Sequence, residues 1–432
     1  MHMIGVQGNG ADGVHLGDID GDGFPDIVSG WEESGDLMLY LNPGAAGRAA
    51  QRWPAVDISA GLRMRGVEDA AFADLDCDGS LDSVVSSVEG CVQRLAVHRP
   101  HGPLLDASAW QAEVLAPEGS ARYVKARAGC RLPGSVDIVA GSREGGSREA
   151  GIYRFQRGAE GWASERLGAV DFKTTGLLSI DVDGDGWLDV LFAGRGEVAW
   201  LRNPGSTITA PWTRHLFARN VSEFAVCDLD RDGHWDLVAG TSRHSGIVAR
   251  WFRRNSAGGW EYWPIAIADG RPGAGSKFVI KGVACGDLDG DGTDELVFSA
   301  SGTGHGIFSL AHSGKPASNA PWSIRYHVGW APQMKYDNVE LADIDGDGDL
   351  DIVTTEEGAG TLSLGLGVLW LENPLIGGRS STTSAAEPPC RLGAPSHSRP
   401  HPICSPNAEK HAATGPPALT DHSLLPLAQA LR

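Results

Sequence analysis

Four carboxylates fall within nine residues of the stretch GDIDGDGFPDIVSGW, at Asp18, Asp20, Asp22 and Asp26. Like charges this close repel, and a folded chain holds them together only with a compensating positive charge. The same spacing, DxDxDGxxD, returns five times. It is found at Asp74, Asp76, Asp78 and Asp82, at Asp181, Asp183, Asp185 and Asp189, and at Asp228, Asp230, Asp232 and Asp236. It is found again at Asp287, Asp289 and Asp291, with Glu295 in ninth place, and at Asp343, Asp345, Asp347 and Asp351. Alternate side chains of a tight loop converge on one centre, and calcium takes roughly six to eight hard oxygen ligands in irregular geometry. The seventh residue, Phe24, Ser80, Trp187, His234, Thr293 or Asp349, can add its backbone carbonyl. The sixth must turn sharply, and it is glycine in every copy. The pattern therefore predicts about six structural Ca²⁺ sites. An Asp-rich turn that caps strands without metal is the alternative, and the repetition of both acid and glycine positions weighs against it. An EF-hand is excluded, because position 12 is Ser29 rather than Glu and the flanks are β-patterned.

The charge of the whole chain agrees. With 36 basic and 55 acidic residues the net charge is −19, which six Ca²⁺ ions would bring to about −7. No clustered basic stripe exists, so nucleic acid is not an expected partner. No apolar run is long enough for a transmembrane helix, and the stretch MHMIGVQGNG has neither the basic start nor the apolar core of a signal peptide. No nucleophile motif, P-loop or HExxH helix is present, so no reaction class follows. The seven cysteines lack CxxC spacing and are odd in number, which argues against a zinc site or a disulfide framework. Cys227 and Cys285 lie in apolar segments and read as small buried hydrophobes.

The elements that hold the acidic loops repeat with them. The loops start near 18, 74, 181, 228, 287 and 343, and VDIVAGS aligns with PDIVSGW to mark a degenerate copy starting at Gly129. Seven units at a period of roughly 50 residues place the chain among propellers and solenoids. In each unit an apolar segment leads into the acidic loop and a second follows it. A third comes after a Gly-rich turn, as in GEVAWLRNPG, and a fourth opens at tryptophan: Trp53, Trp110, Trp162, Trp212, Trp260 and Trp322. Four short strands per unit make the blade of a β-propeller, and the tryptophans read as packing between blades. The seventh unit lacks its tryptophan strand, but HMIG at His2–Gly5 resembles HLFA at His215–Ala218. Residues 2–7 are therefore expected to close the ring as the outer strand of the last blade. Either that strand begins upstream of Met1, where a signal peptide would also lie, or Met1 is genuine and the last blade keeps a short edge. Residues 1–374 thus read as one all-β, seven-bladed propeller with calcium-binding loops. Residues 375–432 have no Phe, Trp, Tyr or Val and read as a disordered Pro/Ser/Ala-rich tail or a frameshifted end.

These loops resemble FG-GAP/VCBS repeats, the blades of integrin α-subunit propellers and of many secreted bacterial proteins. The resemblance covers residues 1–374 and implies calcium on one face, with ligands on the other. It does not imply one function: its members include adhesion proteins and lectin-like modules, it points to an extracellular setting, and a monomer that binds protein or carbohydrate is the expectation. It also includes accessory domains of polysaccharide-active enzymes and the propeller of fungal aldos-2-ulose dehydratases. Calcium loops of this kind fill at roughly 10⁻⁴–10⁻³ M, which supports an extracellular setting over a cytosolic scaffold.

If the acidic loops form one face, the opposite face is built from the turns between second and third strands and from the links between blades. Those turns hold Trp31, Glu32, Glu33, Glu89, Arg143, Glu144, Arg243, His244, His305, Glu356 and Glu357. The segments entering the inner strands add Asp12, Glu68, Asp69, Lys125, Lys173, Glu223, Lys281, Asp337 and Asn338. Such residues are ordinarily solvated loop positions. As a ring at the axis they could bind a sugar, a metal or a small acid, with Glu32, Glu68, Glu89, Lys281, His305, Asp337, Glu356 and Glu357 the chosen ligand-site candidates. Two functions remain open: a non-enzymatic binding module, or a lyase or dehydratase acting on sugars at the top of the channel. A catalytic pair of Glu356 or Glu357 with His305 or His244 is the one combination the enzyme reading offers. A deep pocket with converging groups would favour the enzyme, and a shallow open face the binder.

Overall fold

A computed structural model describes residues 1–373 apart from 6–9, 45–51, 63, 90–92, 117–118, 133–134, 144–148, 160, 171–172, 195, 206–210, 242–246, 256–257, 267–277, 303–305, 313–315, 317–321, 330–333 and 359–364. The expected tail lies outside the described residues, as do His244, His305, Glu144 and Arg243. The described chain forms seven four-stranded antiparallel sheets, each a blade, and no helix in it is long and apolar enough to cross a membrane. The innermost strands are Ala11–Gly17, Val67–Ala73, Arg122–Leu132, Thr174–Ile180, Val221–Cys227, Phe278–Gly286 and Tyr336–Ala342, for blades 1 to 7 in order. Six blades are formed by four consecutive strands. The seventh closes the ring with His2–Gly5 paired to Gly367–Leu371, as the likeness of HMIG to HLFA implied. The equivalence extends to side chains. His2 stacks on Trp370 at 4.4 Å, and His215 stacks on Trp200 at 4.6 Å.

The core lies between blades rather than within them. Seven apolar clusters each join two neighbouring blades. Each repeat tryptophan lies within two residues of the start of its outer strand and packs into the cluster shared with the preceding blade. Trp53, for instance, joins Ile344, Val353 and Trp370 of blade 7. The cluster between blades 6 and 7 has no repeat tryptophan, and blade 7 is the one closed by the first strand of the chain.

Two covalent links correct the reading of the cysteines. Cys77 is bonded to Cys130, and Cys227 to Cys285. The partners are 53 and 58 residues apart. That is close to one repeat period, so each pair lies at facing positions on adjacent blades. Cys227 and Cys285 are thus half-buried staples and not small hydrophobes. The repeat period itself was the missed signal: motif spacings such as CxxC find pairs within one loop, not pairs one blade apart.

Candidate functional site

The acidic loops fold around their own backbone. In the first, Asp18 accepts the N–H groups of Gly21 (2.8 Å) and Gly23 (3.0 Å), Asp20 that of Asp22 (3.1 Å) and Asp22 that of Phe24 (2.8 Å). The ninth residue does different work. Asp26 is fully buried and accepts the N–H of Ile19 at 3.0 Å and of Asn42 at 2.8 Å, tying the loop to the third strand. Asn42 in turn donates its side-chain amide to the Ile344 carbonyl of blade 7. Asp189 with Asn203 and Asp351 with Asn373 repeat the arrangement. Position six is left-handed in all six loops, with φ of 94° at Gly23 and 98° at Gly79. Position four is left-handed too, and Cys77 (φ 61°) and Arg231 (φ 59°) adopt it without being glycine, a conformation that costs side-chain-bearing residues about 1 kcal/mol or more.

These loops fit a hard divalent cation. Carboxylate oxygens of Asp18, Asp20 and Asp22 lie within 4.8 Å of one another, as do those of Asp74, Asp76 and Asp78 and those of Asp181, Asp183 and Asp189. Oxygens on opposite sides of one Ca²⁺ ion stand about 4.6–5.2 Å apart. Asp230 Oδ1 and Asp287 Oδ1 are buried and accept no hydrogen bond from the described residues. Burial raises the ninth-position acids Asp26, Asp189, Asp236, Glu295 and Asp351 to about 7, with the other loop carboxylates pushing the same way. If bound there, calcium would supply the positive charge that these loops lack and would stiffen the first hairpin of each blade.

The second site is the axis. The seven inner strands surround a cavity of about 530 Å³ that runs from Asp12, Glu32 and Glu68 at one end to Cys285 and Ala342 near the acidic loops at the other. Every inner strand breaks register at its entry, for example between Val67 and Asp69, Ile280 and Gly282, and Tyr336 and Val339. A bulge bends the strand and re-aims the extra residue. Glu68, Lys281 and Asp337 occupy these bulges and line the cavity. The bulge carbonyls are satisfied across blades: Ser87 Oγ donates to Val124 O, Ser222 Oγ to Ile280 O and Thr355 Oγ1 to Asp12 O. No pattern in the sequence announces a bulge, since the inserted residue is of any type.

Acids and lysines pair around the mouth. Lys281 pairs with Asp337 at 2.8 Å, Lys335 with Asp337 (3.2 Å) and with Glu357, and Lys173 with Glu68 and with Glu89 (3.6 Å). Burial alone would raise Asp337, but Lys281 and Lys335 outweigh it and hold the carboxyl low. Burial, with Asp337 and Glu68 nearby, raises Asp12 well above the carboxylate range. Burial raises Glu68 to about 7, reinforced by Glu89, and raises Glu223 to about 7 against the opposing charge of Lys125 and Lys281. Deeper in, His15 Nε2 lies 2.7 Å from Arg127 Nη2 and 3.1 Å from Asp69 Oδ1, and its Nδ1 lies 2.6 Å from Glu340 Oε1. Arg127 also holds Asp69, as does Lys125 at 3.2 Å. The residues expected from sequence divide accordingly. Glu32, Glu68, Glu89, Lys281 and Asp337 line the cavity, and Glu357 reaches its rim through Lys335. Glu356 does not line it. Its carboxylate accepts the N–H groups of Lys335, Gly358 and Leu366 and so fixes its own turn. His15, Arg127, Lys335 and Glu340 are additional, on the inner strands or beside them.

The family comparison begins at the same loops. The sequence model of the FG-GAP-like repeat matches residues 18–85, 181–239 and 228–298, each segment opening on the first aspartate of an acidic loop. The chain carries FG-GAP-like repeats. No curated protein matches its sequence. Among solved structures, these FG-GAP-like repeats are similar in fold to an Agrocybe aegerita lectin described as recognising non-reducing terminal N-acetylglucosamine. The two are 16% identical, with a TM-score of 0.46 over 86% of this chain and 92% of that one. They are similar also to the BP39L lectin of Burkholderia pseudomallei, at 12% identity and a TM-score of 0.47 over 85% and 97%. The Bacillus licheniformis rhamnogalacturonan lyase PL11 matches at 12% and 0.43 over 81% and 70%.

Proposed function

We propose that this FG-GAP-like propeller is a calcium-stabilised extracellular binding module that takes a carbohydrate into the mouth of its axial channel. The observation that carries the reading is the cavity of about 530 Å³ ringed by paired carboxylates and lysines. Pockets of this size accommodate small ligands rather than a folded protein. Carboxylates and ammonium groups placed side by side offer both acceptors and donors to the hydroxyls of a sugar. The extracellular setting is supported by two disulfides, which persist in oxidising compartments, and by loops of a kind that fill at extracellular calcium concentrations. Binding of the calcium-loaded chain to a glycan panel tests it. Asp337→Asn and Lys281→Met should each abolish retention of a captured glycan at temperatures where circular dichroism shows the variant still folded, although loss of a buried ion-pair partner will lower the melting temperature. A panel on which nothing is retained, or variants that bind as well as the parent, would sink the reading. Calcium itself is tested by melting with excess calcium and with EGTA: bound ions raise the melting temperature by mass action.

A second reading rests on Glu68 and Glu223, whose carboxyls are raised to about 7 beside lysines. Groups that titrate near neutrality inside a cavity can exchange protons with a bound substrate. A lyase or dehydratase acting on sugars would use them. Turnover of uronate-containing polysaccharides, abolished by Glu223→Gln, is its test.

A further inference from the structure

The six acidic loops are not equivalent. The third-strand residue that faces each loop is Leu41 in blade 1, Pro100 in blade 2, Ala311 in blade 6 and Glu372 in blade 7, but Arg202 in blade 4 and Arg253 in blade 5. Both arginines turn into their loops. Arg202 contacts Asp183 and places Nη2 2.9 Å from Asp185 Oδ2. Arg253 places Nε 2.7 Å from Asp230 Oδ2 and Nη2 2.9 Å from Asp232 Oδ2. In each case the guanidinium spans the third and fifth carboxylates of the loop, two of the groups that would hold a calcium ion. A guanidinium fork across two carboxylates is a strong charge-assisted contact, and it satisfies the same oxygens.

We infer that Arg202 and Arg253 serve as built-in cations, so that the chain holds calcium in two classes: four tight sites, in blades 1, 2, 6 and 7, and two weak ones, in blades 4 and 5. Calcium enters the weak pair only by displacing the arginine from its two carboxylates. The loss of one charge-assisted hydrogen bond is worth about tenfold or more in affinity, so the two classes differ by at least that. The inference rests on the calcium reading of the loops. The hairpins of blades 4 and 5 therefore remain neutralised when calcium falls, while those of the other four lose their counter-charge.

Isothermal titration of the calcium-stripped full chain with CaCl₂, backed by elemental analysis after dialysis, tests this directly. Four tight ions and two that bind about tenfold or more weakly are expected. Arg202→Leu and Arg253→Leu should each move one ion from the weak class to the tight class, giving five tight ions singly and six together. Leucine already occupies the equivalent place in blade 1, which keeps the fold. Six equal ions in the parent, or a split that neither variant moves, overturns the inference and leaves the calcium reading standing. A chain that holds no ion overturns both.

Discussion

At the scale of residues, the loops divide their carboxylates between two jobs. The first and third converge in each of the loops that gather their acids, joined by the fifth in blades 1 and 2 and by the ninth in blade 4, while the ninth also serves as a backbone acceptor sunk in the blade. Asp26→Ala would strand the buried N–H groups of Ile19 and Asn42. Each buried donor left unsatisfied costs about 1–3 kcal/mol, so urea titration should show a loss of a few kcal/mol that calcium does not restore. At the axis, Glu223 shows what burial does to a carboxylate. Its ordinary value of 4.5 is raised to about 7 in the folded chain. A raised acid contributes stability that is complete below pH 4.5 and is lost as pH rises through about 7. Glu223→Gln removes that dependence. The difference in melting temperature between variant and parent should move in favour of the variant across this window, and a constant difference would contradict the assignment.

At the scale of elements, the strand is the unit that the sequence displays and the blade pair is the unit that is stable. Every hydrophobic cluster is shared by two blades, so neighbouring blades must dock before either has a core. The disulfides act at those seams. Cys130 follows Gly129, which pairs with Asp137, and so stands in the place of a first loop aspartate in the one blade whose acidic loop has degenerated. Its partner is position four of the neighbouring loop. A cross-link closing a stretch of this length contributes roughly 2–4 kcal/mol. The double variant Cys77→Ser/Cys130→Ser should therefore melt several degrees lower, and peptide mapping without reduction should recover Cys77 joined to Cys130 and Cys227 joined to Cys285.

At the scale of the whole molecule, the chain carries a net charge of −19, and the six acidic loops contribute tight clusters of carboxylates to it. Without calcium, self-repulsion within and between the loops opposes closure. Sodium chloride screens charges beyond a Debye length of about 8 Å at physiological strength, so it should raise the melting temperature of the calcium-stripped protein. If calcium neutralises the loops as proposed, the same salt should have a smaller effect once calcium is added. Equal salt dependence in the two states would mean that the loops are not the source of the repulsion. Ring closure is likewise a property of the whole. The first strand, His2–Gly5, completes the last blade some 360 residues away and gives it the fourth strand that the other six blades take from consecutive segments.

The sequence by itself determined the fold class, the number of blades, the loops and the closing strand. The first three are written as local patterns repeated six or seven times, so that repetition averages out the weakness of any one copy, and the closing strand follows from the one unit whose outer strand is missing. Glu32, Glu68, Lys281 and Asp337 were legible as axial residues for the same reason, since a propeller puts equivalent positions at equivalent radii. What only the tertiary structure decided are the relations between repeats. The cysteine pairs, the arginines that enter two loops, the bulges that aim Glu68 and Lys281, and the buried group of His15, Arg127, Asp69 and Glu340 all depend on which blade faces which. Glu356 makes the same point in reverse: it has the type and place of a ligand residue, yet its carboxylate is spent on two backbone N–H groups of its own turn and on that of Lys335 at the entry to the inner strand. A local pattern fixes where a side chain starts, but its partner is set by packing over distances that the pattern does not contain.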